Sequence, residues 1–161
     1  MQAVCWKTKT WLAAVMTLTG WVTAMGDEPE MKNDIYEVRP VGWVSEVDDR
    51  SFLDVKPELI DAMDGLGIEA HIWVFWWFDR NDVPEKRAIL KVHPRGNPAN
   101  PMRGVFSTRS PVRPNLIALT LCRIVGIEEN RIEVESIDAF PGTPILDIKP
   151  YLEGRDQPQE E

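Results

Sequence analysis

Cysteine, histidine and tyrosine are scarce in this chain, each occurring 2 times among 161 residues. Of the two cysteines, Cys5 falls in a leader-like segment, so Cys122 is not expected to have a partner for a structural disulfide. With only His71 and His93 as histidines, a structural zinc centre is short of ligands, and no metal is expected. Long hydrophobic runs are missing too. The apolar stretch over residues 11–24 is interrupted by Thr17, Thr19, Gly20 and Thr23, which makes a poor membrane span. The mature protein is therefore expected to have no stable membrane association. An overall positive charge is also absent, and the net charge of −8 argues against nonspecific binding of nucleic acid.

What is present points to a folded domain rich in short strands. The chain is 43% hydrophobic and 27% charged, a globular balance. Its 13 prolines and 10 glycines are spread as turn formers between short apolar runs. Strands are expected over residues 37–44, 51–55, 70–79, 88–93, 105–106, 116–125, 131–137 and 145–148. Residues 70–79 are the most hydrophobic run and rich in aromatic and β-branched side chains, so this strand is expected to be buried on both faces. Gly42 marks a bulge or a close approach of backbones. One short helix is expected over residues 57–64, with Pro57 in its first turn and Gly65 ending it. The expected fold is mainly β: a single small closed β-barrel with one short helix, closure being what removes sheet edges.

The termini read differently. Residues 1–26 resemble a secretory signal, with Lys7 and Lys9 before an apolar stretch and small residues around Ala24. A rival reading makes residues 1–30 an extension upstream of a natural start at Met31. The expected organisation is thus a leader or extension over 1–30, a barrel domain over 31–152, and a polar tail over 153–161. The expected compartment is the cytoplasm, with export through residues 1–26 as the alternative.

Charge is divided unevenly along the chain. Residues 31–79 carry 4 basic and 11 acidic groups, and residues 124–161 carry 3 and 10. Between them, residues 80–123 carry 9 basic groups and 2 acidic ones. Such a block either pairs with the acidic thirds or forms an electropositive face for phosphate or carboxylate. Within it, Gly104-Val-Phe-Ser-Thr-Arg-Ser-Pro-Val-Arg-Pro-Asn115 sets Arg109 and Arg113 between prolines, a rigid loop suited to holding an anion.

Four segments carry a family resemblance: His71-Ile-Trp-Val-Phe-Trp-Trp-Phe-Asp79, His93-Pro-Arg-Gly96, the arginine loop, and Asp138-Ala-Phe-Pro-Gly-Thr-Pro-Ile-Leu-Asp-Ile-Lys-Pro-Tyr151. Together they resemble the TsaA/TrmO (YaeB-like) family over residues 35–151. The resemblance implies a β-barrel that binds S-adenosylmethionine and methylates the threonylcarbamoyl-adenosine beside the tRNA anticodon. It implies a homodimer as well. The cofactor pocket it implies draws on Phe78, Asp79, Arg109, Leu119 and the turn Asp138, Ala139, Phe140, Pro141 and Gly142.

The chemistry agrees with that assignment. A guanidinium such as Arg109 can hold the cofactor carboxylate, acids and turn carbonyls suit its ammonium and ribose, and Trp76, Trp77 or Phe140 could face its sulfonium. Asp138 is the candidate general base for a weakly nucleophilic nitrogen. Lys86, Arg87, Lys91, Arg95 and Arg113 are the candidates for substrate phosphates, with tRNA the expected partner. The chain departs from the family pattern at Leu116–Ala118, and Pro141 stands where a second acid is common. Because extensions that longer members use to bind substrate are expected to be missing, a module that binds S-adenosylmethionine, or another small anion, without turning it over is kept as the alternative.

Overall fold

The computed structural model describes residues 35–157; the leader-like residues 1–30 and Cys5 within them lie outside the described residues, as does the tail from 158. The unit from Glu37 onward holds every element described below.

The first two strands, β1 (Gly42–Val47) and β2 (Arg50–Val55), form a hairpin in which Val47 pairs with Arg50. Its two-residue turn, Asp48-Asp49, has φ of 50° and 60°. Left-handed values at both central residues are what a hairpin turn matching the strand twist requires, and Asp tolerates them. The strand expected over 37–44 therefore starts later and runs further. Residues 37–41 stay outside the ladder, although Val41 still donates to Ile145 O at 2.8 Å. Gly42 is a close approach, as expected: a Cβ there would lie 2.3 Å from Asp54 O.

Residues Pro57–Met63 then turn as a 3-10 helix, ended by Gly65 at φ 87°. Leu59 N–H bonds Lys56 O and Asp64 N–H bonds Asp61 O, the tighter pattern that short helices use. Its Met63 is buried in the barrel core.

Strands β3 (His71–Trp77), β6 (Ile117–Glu128), β7 (Arg131–Val134) and β8 (Pro144–Pro150) complete a closed barrel in the order β1-β2-β7-β6-β3-β8. Every pairing is antiparallel. Two irregularities bend the sheet around. Between β3 and β8 the register skips Leu146, and between β6 and β7 it skips Val125. Leu53, Ile72, Ile124, Ile132 and Ile145 are wholly buried inside.

The remaining strands are two-residue pieces, β4 (Lys91–Val92) and β5 (Arg103–Gly104), paired as a separate ribbon. The strand expected over 88–93 survives only as this fragment. The one expected at Val105-Phe106 is instead a 3-10 turn, Val105–Ser107, because its backbone curls to bond Thr108 N–H to Val105 O. Two four-residue helices, α1 (Pro84–Arg87) and α2 (Glu153–Asp156), add to the single helix expected.

β3 corrects a further expectation. It is not buried on both faces: Ile72, Val74 and Trp76 face the core, while Trp73, Phe75 and Trp77 are only half-buried. In a barrel wall, alternation sends every second side chain outward, and none of the described helices covers this one as a layer. The result is an apolar outer wall.

Candidate active site

The ribbon decides where the arginines go. Pairing of Lys91 with Gly104 and of Val92 with Arg103 starts two loops from one place, 93–102 and 105–116. The second is fixed by its own hydroxyls. Ser107 Oγ donates to Gly104 O at 2.8 Å and Thr108 Oγ1 to Val105 O at 3.0 Å. The amides of Ser110 and Val112 donate to Thr108 Oγ1 and Ser110 Oγ, both at 3.3 Å. Side-chain bonds of this kind hold a loop without any ladder. Out of it comes Arg109, whose Nη1 donates to Leu119 O of β6 at 3.3 Å.

Between this loop and the outer wall of β3 and β6 lies a cavity of about 800 Å³. It gathers six of the residues singled out in the sequence: Trp76, Phe78, Arg109, Arg113, Leu119 and Asp138. Phe78 stands edge-on to Trp76 at 4.7 Å, and Trp76 Nε1 donates to Thr120 Oγ1 at 3.0 Å. Arg109 and Arg113 stand in no ion pair among the described residues. Two cations therefore meet one carboxylate, Asp138, across apolar walls.

Asp79, Ala139, Phe140, Pro141 and Gly142 do not line this cavity. They are tied to the barrel instead. Asp79 Oδ1 accepts from Thr143 Oγ1 at 3.2 Å, and Thr143 is buried. Gly142, at φ 85°, donates its N–H to Val44 O at 2.8 Å. Ala139 packs on the core, whereas Phe140 is exposed and carries the Arg80 guanidinium 3.7 Å from its ring centre. Of the aromatics weighed against a sulfonium, only Trp76 reaches the cavity. Trp77 instead donates Nε1 to Asp82 Oδ2 at 3.0 Å and has Arg87 over its ring at 5.2 Å.

Sequence reasoning missed Phe75, Phe106, Thr120 and Asn115, which also line the cavity. The period of two along β3 and β6 could have marked Phe75. Phe106 is 82% exposed, and its reading as a strand residue hid it.

The basic candidates separate into two groups. Arg87 is fully engaged: Nε donates to Asp82 Oδ1 at 2.8 Å and Nη1 to Pro114 O at 2.9 Å. That guanidinium, followed by the Trp77 N–H, holds the Asp82 carboxyl below its ordinary range. Lys86 Nζ donates to Asn81 Oδ1 at 2.9 Å and Arg80 O at 3.2 Å. Lys91 and Arg95 are exposed and Arg113 is half-buried. Of the 9 basic residues in the central block, only Arg87 and Arg123 form ion pairs among the described residues. Internal pairing therefore does not consume the block. Cys122 is no nucleophile: it is buried, and burial pushes its thiol up to about 12. No helix among the described residues is long and apolar enough to cross a membrane.

Comparison with known proteins bears on what this cavity does. Residues 40–157 match the family model described as the tRNA-methyltransferase O N-terminal domain. A Methanocaldococcus jannaschii protein, "Probable S-adenosyl-L-methionine-binding protein", is 44% identical over 125 residues, covering 78% of this chain and 99% of that one. The human "tRNA (adenine(37)-N6)-methyltransferase" is 44% identical over 96 residues, covering 58% of this chain and 21% of that one. The crystal structure of TrmO from Pseudomonas aeruginosa superposes with a TM-score of 0.59 at 26% identity, over 79% of this chain and 60% of that one.

Proposed function

From the premise that this chain belongs to the family of the tRNA-methyltransferase O N-terminal domain, we propose that it is a methyltransferase that takes its methyl group from S-adenosylmethionine and delivers it to tRNA. The finer reading is that the acceptor is the threonylcarbamoyl-adenosine beside the anticodon. The observation that carries the proposal is the cavity holding an ion-pair-free Arg109 and the single carboxylate of Asp138 on apolar walls.

The residues present fit the cofactor. A volume of about 800 Å³ lies within the range of roughly 300–1,000 Å³ common for ligand sites. Arg109 suits the carboxylate, Phe78, Phe75 and Leu119 suit the apolar parts, and Asp138 suits a cation or a proton. Bound there, S-adenosylmethionine would supply a methyl group activated by its sulfonium, with the thioether as leaving group. Asp138 takes the proton that the acceptor nitrogen loses as the new carbon–nitrogen bond forms. Arg109 orients, and the aromatic wall keeps water away. Arg113, Lys91 and Arg95 hold phosphates of the tRNA, while Lys86 and Arg87 brace the loops. The test is transfer of labelled methyl from S-adenosylmethionine to tRNA by the full chain. Label in the anticodon-loop adenosine is expected, and no label in any tRNA would refute the enzyme.

A second reading has one observation behind it. The M. jannaschii relative, matched over 99% of its length, is named for binding alone. Donor binding without transfer to any RNA would favour that binding module.

We also propose a homodimer and a cytoplasmic location. The outward Trp73 and Leu121, which are not assigned to the donor, form an apolar surface that a second copy would cover. Light scattering that finds only monomer at micromolar concentration would refute pairing. A mature N-terminus near Asp27 in an exported fraction would refute the location, since the donor and tRNA are intracellular compounds.

A further inference from the structure

Arg109 lines two cavities. The second, of about 480 Å³, lies between the His93-Pro-Arg-Gly96 turn and the Ser107–Pro111 stretch of the arginine loop. We propose that this second cavity is a phosphodiester subsite, which holds one backbone phosphate of the RNA next to the methylation site. The proposal rests on the reading that RNA is the substrate.

The composition of the two cavities differs in a way that sorts their ligands. The first contains Asp138; the second has no acidic residue among the described residues that line it. Instead His93, Arg95 and Arg109 converge on it, with Ser107, Thr108 and Ser110 alongside. Neither arginine stands in an ion pair among the described residues. Two guanidiniums with no carboxylate among the described lining residues make a site for a strong anion, and a planar guanidinium matches the paired oxygens of a phosphate.

The site is also held in shape. His93 Nδ1 lies 2.8 Å from Asn100 O. A carbonyl only accepts, so Nδ1 carries the proton and the ring braces the turn. Asn100 Nδ2 donates back to Pro94 O at 2.8 Å, and Gly96 N–H to His93 O at 3.0 Å. The turn they close puts Arg95 at φ 59°, a left-handed conformation uncommon for a residue with a side chain. Such backbone is retained where its surroundings over-determine it, and here it places a cation at the mouth shared with Arg109. Because Arg109 borders both cavities, a phosphate in the second would lie beside the donor site in the first.

The test uses the full chain, an RNA hairpin with the anticodon loop, and inorganic phosphate as a separate arm. Arg95→Asn removes the charge while tolerating left-handed backbone. Its RNA affinity is expected to fall about tenfold, and the slope of log affinity against log salt by about one. Arg95→Lys should recover the slope. Heat on titration with S-adenosylmethionine should persist in Arg95→Asn, reporting an intact barrel. Unchanged RNA affinity and slope in Arg95→Asn would overturn the subsite and leave the methyltransferase reading standing. A wild-type chain that binds the donor but no RNA would overturn both. Inorganic phosphate at constant ionic strength should compete only at millimolar concentration. Saturation by phosphate alone at micromolar concentration would assign the site to the free anion and overturn the diester.

Discussion

Replacing Arg87 by alanine separates a structural cation from an RNA-binding one. Arg87 makes three contacts: the Asp82 carboxylate at 2.8 Å, the Pro114 carbonyl at 2.9 Å and the Trp77 ring at 5.2 Å. The ion pair is partly exposed, with side-chain accessibilities of 34% and 42%, so solvent screening limits it to about 0.5 kcal/mol. A charged donor on the half-buried Pro114 carbonyl is worth about 1.5 kcal/mol, and the ring contact about 0.5 kcal/mol. Arg87→Ala should therefore cost roughly 2–3 kcal/mol, which lowers the urea midpoint by about 1 M. The salt slope of RNA binding should stay as in wild type, while donor affinity should weaken because Pro114 anchors the arginine loop. pH provides a second signature. The Asp82 carboxyl is held below its ordinary value in the folded chain, chiefly by Arg87 and then by Trp77. Its contribution is complete above the unfolded carboxylate pKa and is lost as pH falls through the lowered folded value. Arg87→Ala should flatten that part of the acid-denaturation profile. An unchanged urea midpoint with a salt slope reduced by about one would refute this reasoning and return Arg87 to the RNA.

Other outcomes follow from single contacts. Gly42→Ala sets a Cβ 2.3 Å from Asp54 O, a backbone atom that cannot rotate away, so a loss of about 3 kcal/mol and roughly 10 °C in Tm is expected; calorimetry showing no shift would contradict the close approach. Asp138→Asn should keep donor affinity within a few-fold and cut methyl transfer by about a hundredfold or more, and transfer at the wild-type rate would remove Asp138 as the base. Ile145→Ala, at a wholly buried position beside the β1–β8 closure, should cost about 3 kcal/mol in urea denaturation; a neutral result would argue that the barrel does not close there.

How much of this was legible beforehand depends on the range of the interactions. The barrel could be read because its strands announce themselves by composition, as in residues 70–79 and 116–125, and because Gly42 had no other purpose in a strand. The rigidity of the arginine loop was legible from Pro111 and Pro114. The Asp48-Asp49 hairpin was not, since two aspartates signal a turn only once both flanking strands are recognised as partners. The burial of β3 was misjudged because composition does not tell which layer covers a sheet. Aromatic side chains serve equally in a core and on an outer wall beside a cavity. Most of all, the fate of each cation lay outside local sequence. Arg87 and Arg95 look alike in the chain, yet Arg87 is engaged by Asp82 and the distant Pro114 carbonyl, whereas Arg95 lines a cavity with no ion pair among the described residues.

The central claim is that the cavity under Arg109 binds S-adenosylmethionine, and isothermal titration of the full chain tests it most directly. The wild type should bind with measurable heat. Arg109→Ala should weaken binding tenfold to a hundredfold, about 1.5–3 kcal/mol for one charge-assisted contact, with the barrel still folded by circular dichroism. A wild-type chain that gives no heat at millimolar donor, or an Arg109→Ala chain that binds as tightly as wild type, would contradict it.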